Sequence, residues 1–331
     1  MTDSTLKDAN SGGGAPRATK AIGSLYIVLV LAAAFGGYLY TVRSEGIFSC
    51  PGAGYGPDRY LAYCHAKQYG DYDHGAFWFA LEPGIRDYVE QAEVLFLGNS
   101  RVQFGFSDEN THRWMAAAPA SYFLLGFAYW ENYTFERALL GKMHARARVY
   151  VVNLDSFFDI QETEPAKAVM QNDDLLNHYR IKRLWQRPHA ELCMKFKTLC
   201  GGNEAFFRSL KTGDYERYAG DTGKFVVSYD PGTDPAMVSA YLDRAKVFFA
   251  TLPVDRNCIL LTIVPYEKTK YGTARALAGE LGMPLLAPQI EGLTTFDHSH
   301  LDAASAARWS EAFFETAGPA IRQCLDDGAA G

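Results

Sequence analysis

The stretch VLFLGNSRVQFGFS, residues 94–107, decides how the chain is read. Val94 to Leu97 form a short uninterrupted apolar run, the pattern of a strand buried on both faces. The run breaks into Gly98, Asn99 and Ser100, a glycine and two short polar side chains of the kind that turn a backbone sharply. Such a break can be a turn and nothing more. It can also be a perch that sets one hydroxyl at the carboxyl edge of a parallel sheet, where open α/β folds bind their ligands.

Similar runs recur outward from this one: SYFLLG at 121–126, VYVVNL at 149–154 and CILLTIV at 258–264. Mixed segments lie between them, such as ENYTFERALLGKMHARA at 131–147, whose apolar spacing suits an amphipathic helix. Strands alternating with helices predict an α/β fold, a three-layer α/β/α doubly wound parallel sheet over residues 91–325. Residues 160–250 break the rhythm with a charged, aromatic-bearing stretch that includes NDDLLNHYRIKRLWQRPHAELCMKFKTLC, read as a helical insertion with a loop around Asp214 to Pro235. It either caps the site or is a solvated helical excursion. Residues 43–90, rich in Gly, Pro and Tyr and without a sustained period, read as a membrane-proximal collar.

Residues 21–42, AIGSLYIVLVLAAAFGGYLYTV, carry no charge and as a helix cover about 30 Å, the thickness of a bilayer core. The run is longer than the apolar region of a cleaved signal peptide, which favours an uncleaved transmembrane helix. The polar tail at 1–20 carries Lys7, Arg17 and Lys20, against Arg43 alone just after the span. The asymmetry leaves a disordered tail in the cytoplasm and the bulk of the chain outside. With 48% hydrophobic residues among 331, that bulk can build a large core, and a net charge of −6 argues against nucleic acid as a partner.

Six cysteines agree with an oxidising compartment. Cys50 with Cys64 and Cys193 with Cys200 are the expected local staples; the alternative is buried free thiols, above all at Cys258, which opens an apolar run. No C-x-x-C unit points to structural zinc.

Near the C-terminus, TTFDHSHLDAASAARWSEAFFETA at 294–317 runs from an Asp- and His-rich loop into helix-forming sequence. Asp297 and His300 are three apart, a spacing that can set a carboxylate beside an imidazole and so fix its tautomer. A serine hydroxyl needs such a base near neutral pH, and Ser100 is the natural recipient. His298 and His300 also form His-x-His beside Asp297 and Asp302. A metal site there lacks a second cluster to complete it, so neither metal nor cofactor is expected.

A strand ending in Gly-x-Ser near the front of the domain, with Asp-x-x-His before the last helix, resembles the SGNH/GDSL hydrolase superfamily. GNSR and FDHSHL are similar to its membrane-anchored, extracytoplasmic members that handle acyl groups on envelope glycans. The resemblance covers about 93–155 and 255–315, and the insertion matches nothing in it. It implies a nucleophile at Ser100, whose own N–H is one oxyanion donor, with Asp297 and His300 as acid and base and Gly126 as a second donor. The family's third block, Gly-x-Asn-Asp, is missing. The strand VYVVNLDSFFD offers Asn153 and Asp155 instead, and Asn99 is another possible donor.

Arg101 either meets a substrate carboxylate or phosphate, or pairs with a nearby Asp as support. The aromatic residues Phe127, Tyr129, Trp130 and Tyr133 either pack in the core or cover the apolar face of a sugar. The resemblance therefore implies a single-pass protein of a bacterial inner membrane, its main domain periplasmic. There it would be a serine O-acyl (O-acetyl) transferase or esterase acting on a polysaccharide, with a multi-spanning membrane protein as a possible acyl donor. The rival expectation is an inactive glycan-binding or assembly subunit.

Overall fold

The computed structural model describes residues 17–106, 109–218 and 224–327. Most of the tail read at 1–20 lies outside that range, and its last four residues already belong to helix α1, Arg17–Glu45. Within α1, Ser24–Glu45 is long and apolar enough to cross a membrane, and none of it is buried by the rest of the chain.

The chain then lays down β1 (Arg59–Cys64), β2 (Gly70–Asp71), α2 (Asp73–Trp78) and α3 (Ile85–Gln91). The opening stretch forms β3 (Val94–Asn99) and α4 (Ser100–Phe106). After these come α5 (Glu109–Ala117), β4 (Tyr122–Phe127), α6 (Tyr133–Met143), β5 (Val149–Asn153), α7 (Glu164–Gln171) and α8 (Leu175–Lys195). The strands β6 (Ala205–Ser209) and β7 (Tyr215–Tyr218) follow. Two small pairings, β8 (Phe225–Val226) with β12 (Thr294–Thr295) and β9 (Ser228–Tyr229) with β11 (Lys268–Thr269), frame the last part of the chain. Between and after them stand α9 (Pro235–Phe249), β10 (Ile259–Thr262), α10 (Tyr271–Glu280) and α11 (Ala303–Asp327).

The four strands found from apolar runs make one parallel sheet in the order β10-β5-β3-β4. Alternate residues feed two cores. Leu95 and Leu97 join Phe123, Leu125, Tyr150 and Val152 on the face covered by α3, α6, α9 and α10. Val94 and Phe96 join Leu124 and Val151 on the face covered by α4, α5 and α11. Coverage on both sides is why these strands read as unbroken apolar runs rather than alternating ones. The chain steps from β3 to β4 on one side and then returns to β5 on the other, so the sheet reverses direction between β3 and β5. Ligands of doubly wound sheets bind in the crevice this reversal opens at the carboxyl ends.

Residues read separately as collar and insertion meet in a second, antiparallel sheet, β2-β1-β6-β7. Strands β6 and β7 stand where the sequence predicted helix and loop. Farther along the same insertion, α9 belongs to the parallel sheet's own helical layer through Val238, Tyr241 and Phe248. Cys50–Cys64 and Cys193–Cys200 are bonded as expected. The alternative of a free Cys258 is ruled out by its disulfide to Cys324, a pairing the sequence reading did not name, which ties the start of β10 to the end of α11.

Candidate active site

Ser100 is the first residue of α4, directly beyond the carboxyl end of β3. The turn into it depends on Gly98, whose φ is +149° and on which a Cβ would sit 2.8 Å from Val102 and 3.0 Å from Asn153. Beneath the turn, the Gly98 N–H donates to the Glu136 carboxyl at 2.8 Å. Burial pushes that carboxyl well above the usual range, and the Gly98 bond only partly offsets it.

The loop before α11 delivers the other two groups. Ser100 Oγ lies 2.7 Å from His300 Nε2, and His300 Nδ1 lies 2.7 Å from Asp297 Oδ2. The other carboxylate oxygen of Asp297 accepts the N–H groups of Ser299 at 3.1 Å and His300 at 2.8 Å, which closes the loop on itself. Burial alone would raise the Asp297 pKa. The hydrogen bond and charge of His300 outweigh it with these two N–H groups and hold the carboxyl below its usual range. The imidazole packs against Phe104 and Phe296, with ring centroids 4.6 and 5.5 Å away. The three residues singled out from the sequence thus form one Ser-His-Asp relay.

The other sequence candidates are placed differently. Arg101 does not face the cleft. Its guanidinium pairs with Asp155, donates to the Ser299 carbonyl at 3.2 Å and lies over the Tyr266 ring at 4.0 Å. It ties α4, the segment after β5 and the His300 loop together, and burial lowers its pKa to about 10. Asn99 is wholly buried: its Oδ1 accepts the Arg101 N–H at 3.0 Å and its amide donates to Asp155 at 3.1 Å. Asn153 accepts the Val264 N–H at 3.0 Å, and its buried amide nitrogen has no partner among the described residues. Gly126 lies within β4 against α4, where a Cβ would come 2.7 Å from the Asn99 carbonyl. None of these four lines the cleft around Ser100. Nor does His298 join His300: it bonds Glu267 at 2.9 Å and stacks on Phe225.

That cleft has a volume of about 810 Å³. Ser100, His300, Asp297 and Ser299 form one wall, Tyr129 and Trp130 a second, and the segment Asp159 to Pro165 a third. The lining contains four carboxylates, those of Asp159, Glu162, Glu164 and Asp297, and no lysine or arginine. Tyr129 and Trp130 adopt positive φ of 64° and 58°, backbone that such residues rarely take, and Trp130 is 66% exposed. Below them a buried chain of charges holds the turn. His74 bridges Asp71 at 3.1 Å and Glu131 at 2.9 Å, and Glu131 also accepts the Thr163 hydroxyl at 2.6 Å. Burial alone would lower the His74 pKa, but the two carboxylates raise it to about 10, so it is an imidazolium at neutral pH.

Comparison with family models, curated proteins and solved structures finds no match to this chain. The residues themselves carry the functional argument.

Proposed function

We propose that this protein is a serine acyl-transfer enzyme of the SGNH type, an O-acyl (O-acetyl) transferase or esterase acting on a polysaccharide outside the cytoplasm. The observation that carries the reading is the continuous Ser100–His300–Asp297 relay at the mouth of the cleft. In the reaction, Ser100 Oγ attacks an acyl carbonyl while His300 Nε2 takes its proton. The tetrahedral adduct collapses to an acyl-serine, and His300 returns the proton to the departing oxygen. A sugar hydroxyl, or water in an esterase, then gives its proton to His300 and attacks the acyl-serine, and as that adduct collapses His300 returns the proton to the departing Ser100 Oγ. Asp297 keeps the Nδ1 proton of His300 facing it throughout.

The cleft lining supports a glycan as the acyl acceptor. Exposed Trp130 and Tyr129 offer flat apolar faces to a sugar ring, and carboxylates nearby accept hydroxyl hydrogen bonds. The same carboxylates repel a polyanion, so a neutral or amino-bearing polysaccharide is the better fit. Helix α1 and three disulfides support single-pass anchoring, with the site in an oxidising compartment beyond a bacterial inner membrane. A multi-spanning membrane protein is the proposed acyl supplier.

The bond of the Asn99 amide to Asp155, and the absence of Asn99, Asn153 and Gly126 from the cleft lining, favour one rival: a subunit that holds glycan without turning it over. A fluorophosphonate probe separates the two. The enzyme reading requires covalent labelling at Ser100, lost in Ser100→Ala, together with altered glycan O-acylation in cells carrying that variant. Wild type that resists the probe as Ser100→Ala does establishes the rival.

A further inference from the structure

Helix α8 has two faces. Tyr179, Gln186, His189 and Cys193 are buried against the body. Ile181, Leu184, Trp185 and Leu192 form an apolar stripe left to solvent at helical spacing, with Leu184 73% exposed. In the last turn of α8 Met194 and Lys195 are exposed on either side of the buried Cys193 face, and just past the helix end Phe196 and Lys197 are exposed as well. Between residues 175 and 200 there are six basic side chains and one acidic. A contiguous apolar surface of this kind marks a contact site.

The position of α1 says what covers it. In the last turn of α1, Arg43 donates to the Thr198 carbonyl at 3.0 Å, one residue beyond Lys197. Phe48, three residues past the end of α1, meets Trp185 edge to face at 6.4 Å. The Glu45 carbonyl accepts the Gln68 N–H at 2.8 Å and fixes the helix end against the body. The stripe therefore begins at the level where the apolar stretch of α1 stops. Rings and thioethers interleaved with ammonium groups suit a bilayer interface, where the apolar parts enter the acyl region and the amines meet phosphates.

We propose that α8 and the turn after it lie along the surface of an anionic bilayer beside the exit of α1. Met194 and Phe196 enter the acyl boundary, and Lys195 and Lys197 engage headgroup phosphates. The inference rests on the reading of α1 as a membrane span.

The test places photoreactive benzoyl-phenylalanine, one site at a time, at Leu31, Leu184, Phe196 and exposed Val226 of the full chain. The protein is held in nanodiscs of neutral and anionic phospholipid, and adducts are weighed on peptides. Lipid adducts are expected at Leu31, Leu184 and Phe196, with yields roughly tenfold above Val226. Lys195→Glu with Lys197→Glu lowers the yield at Phe196 about fivefold. Adducts at Leu31 with Leu184 and Phe196 no better than Val226 overturn the docking and leave the anchor standing. No lipid adduct even at Leu31 overturns both. In native membranes, a protein adduct at Phe196 in place of lipid overturns the proposal in favour of a protein partner.

Discussion

Replacing Asp297 by Asn changes one atom in the relay and little else. The amide oxygen of Asn keeps the two N–H bonds from Ser299 and His300, at 3.1 and 2.8 Å, so the loop retains its shape. The NH₂ then stands where Oδ2 was, 2.7 Å from His300 Nδ1. Two donors cannot share that contact, so Nδ1 must become the acceptor and the ring proton moves to Nε2. Nε2 faces Ser100 Oγ at 2.7 Å and can no longer take its proton. Loss of the accepting tautomer costs other serine enzymes about four decades in kcat. That is roughly 5.5 kcal/mol of barrier. Hydrolysis of a small acetyl ester, the rate of fluorophosphonate labelling and thermal unfolding should be measured on the same preparations. The expected result is a drop of about 10³ to 10⁴ in both rates with folding stability changed by less than about 1 kcal/mol. Asp297→Asn that labels Ser100 within tenfold of wild type while folding normally would refute the relay.

Arg101→Met leaves Asp155 buried and without its cation, so denaturant unfolding should show a loss of about 3–5 kcal/mol. A loss under about 1 kcal/mol would mean that Arg101 is not the tie described. The His74 pKa is raised to about 10 by Asp71 and Glu131, above its unfolded value near 6.5. Its stabilising contribution is therefore complete below about pH 6.5 and fades as pH rises toward 10. The denaturation midpoint of wild type should fall across that window, and that of His74→Gln should stay flatter; equal slopes would count against the network. Exchanging Cys258 and Cys324 for Ser together opens a 66-residue loop, with an expected loss of about 4 kcal/mol read from thermal unfolding. An unchanged melting temperature would show that the crosslink contributes nothing.

The parallel sheet could be read from the chain because its strands are buried on both faces, which leaves an unmistakable apolar signature in Val94–Leu97 and Val149–Val152. The antiparallel sheet could not. Strand β1 pairs with β6 across about 140 residues, and neither RYLAYC nor AFFRS alternates cleanly, because tertiary cover decides those positions. Cys258 gave no local hint of a partner 66 residues away. At the site, Ser100, Asp297 and His300 were found because their spacing carries chemistry. Of the two roles open to Arg101 the structure shows the supporting one: successive side chains on a helix point about 100° apart, and it turns from the Ser100 side to Asp155. The segment Asp159 to Pro165 straddles the start of the insertion read at 160–250, and all of it but Asp159 was assigned there. Its position just beyond the carboxyl end of β5 was the one clue to its place in the cleft. The strained turn at Tyr129 and Trp130 has no sequence marker, since neither residue favours positive φ.

Ser100 and His300 are 200 residues apart in the chain. The imidazole arrives with the loop just ahead of the final helix, whose far end is riveted to β10 through Cys324. A chain whose last segment has not yet docked accordingly carries a serine without its imidazole, however early β3 forms. If the proposed acyl transfer holds, reactivity waits on the docking of that last segment, a safety catch built into the order of the chain.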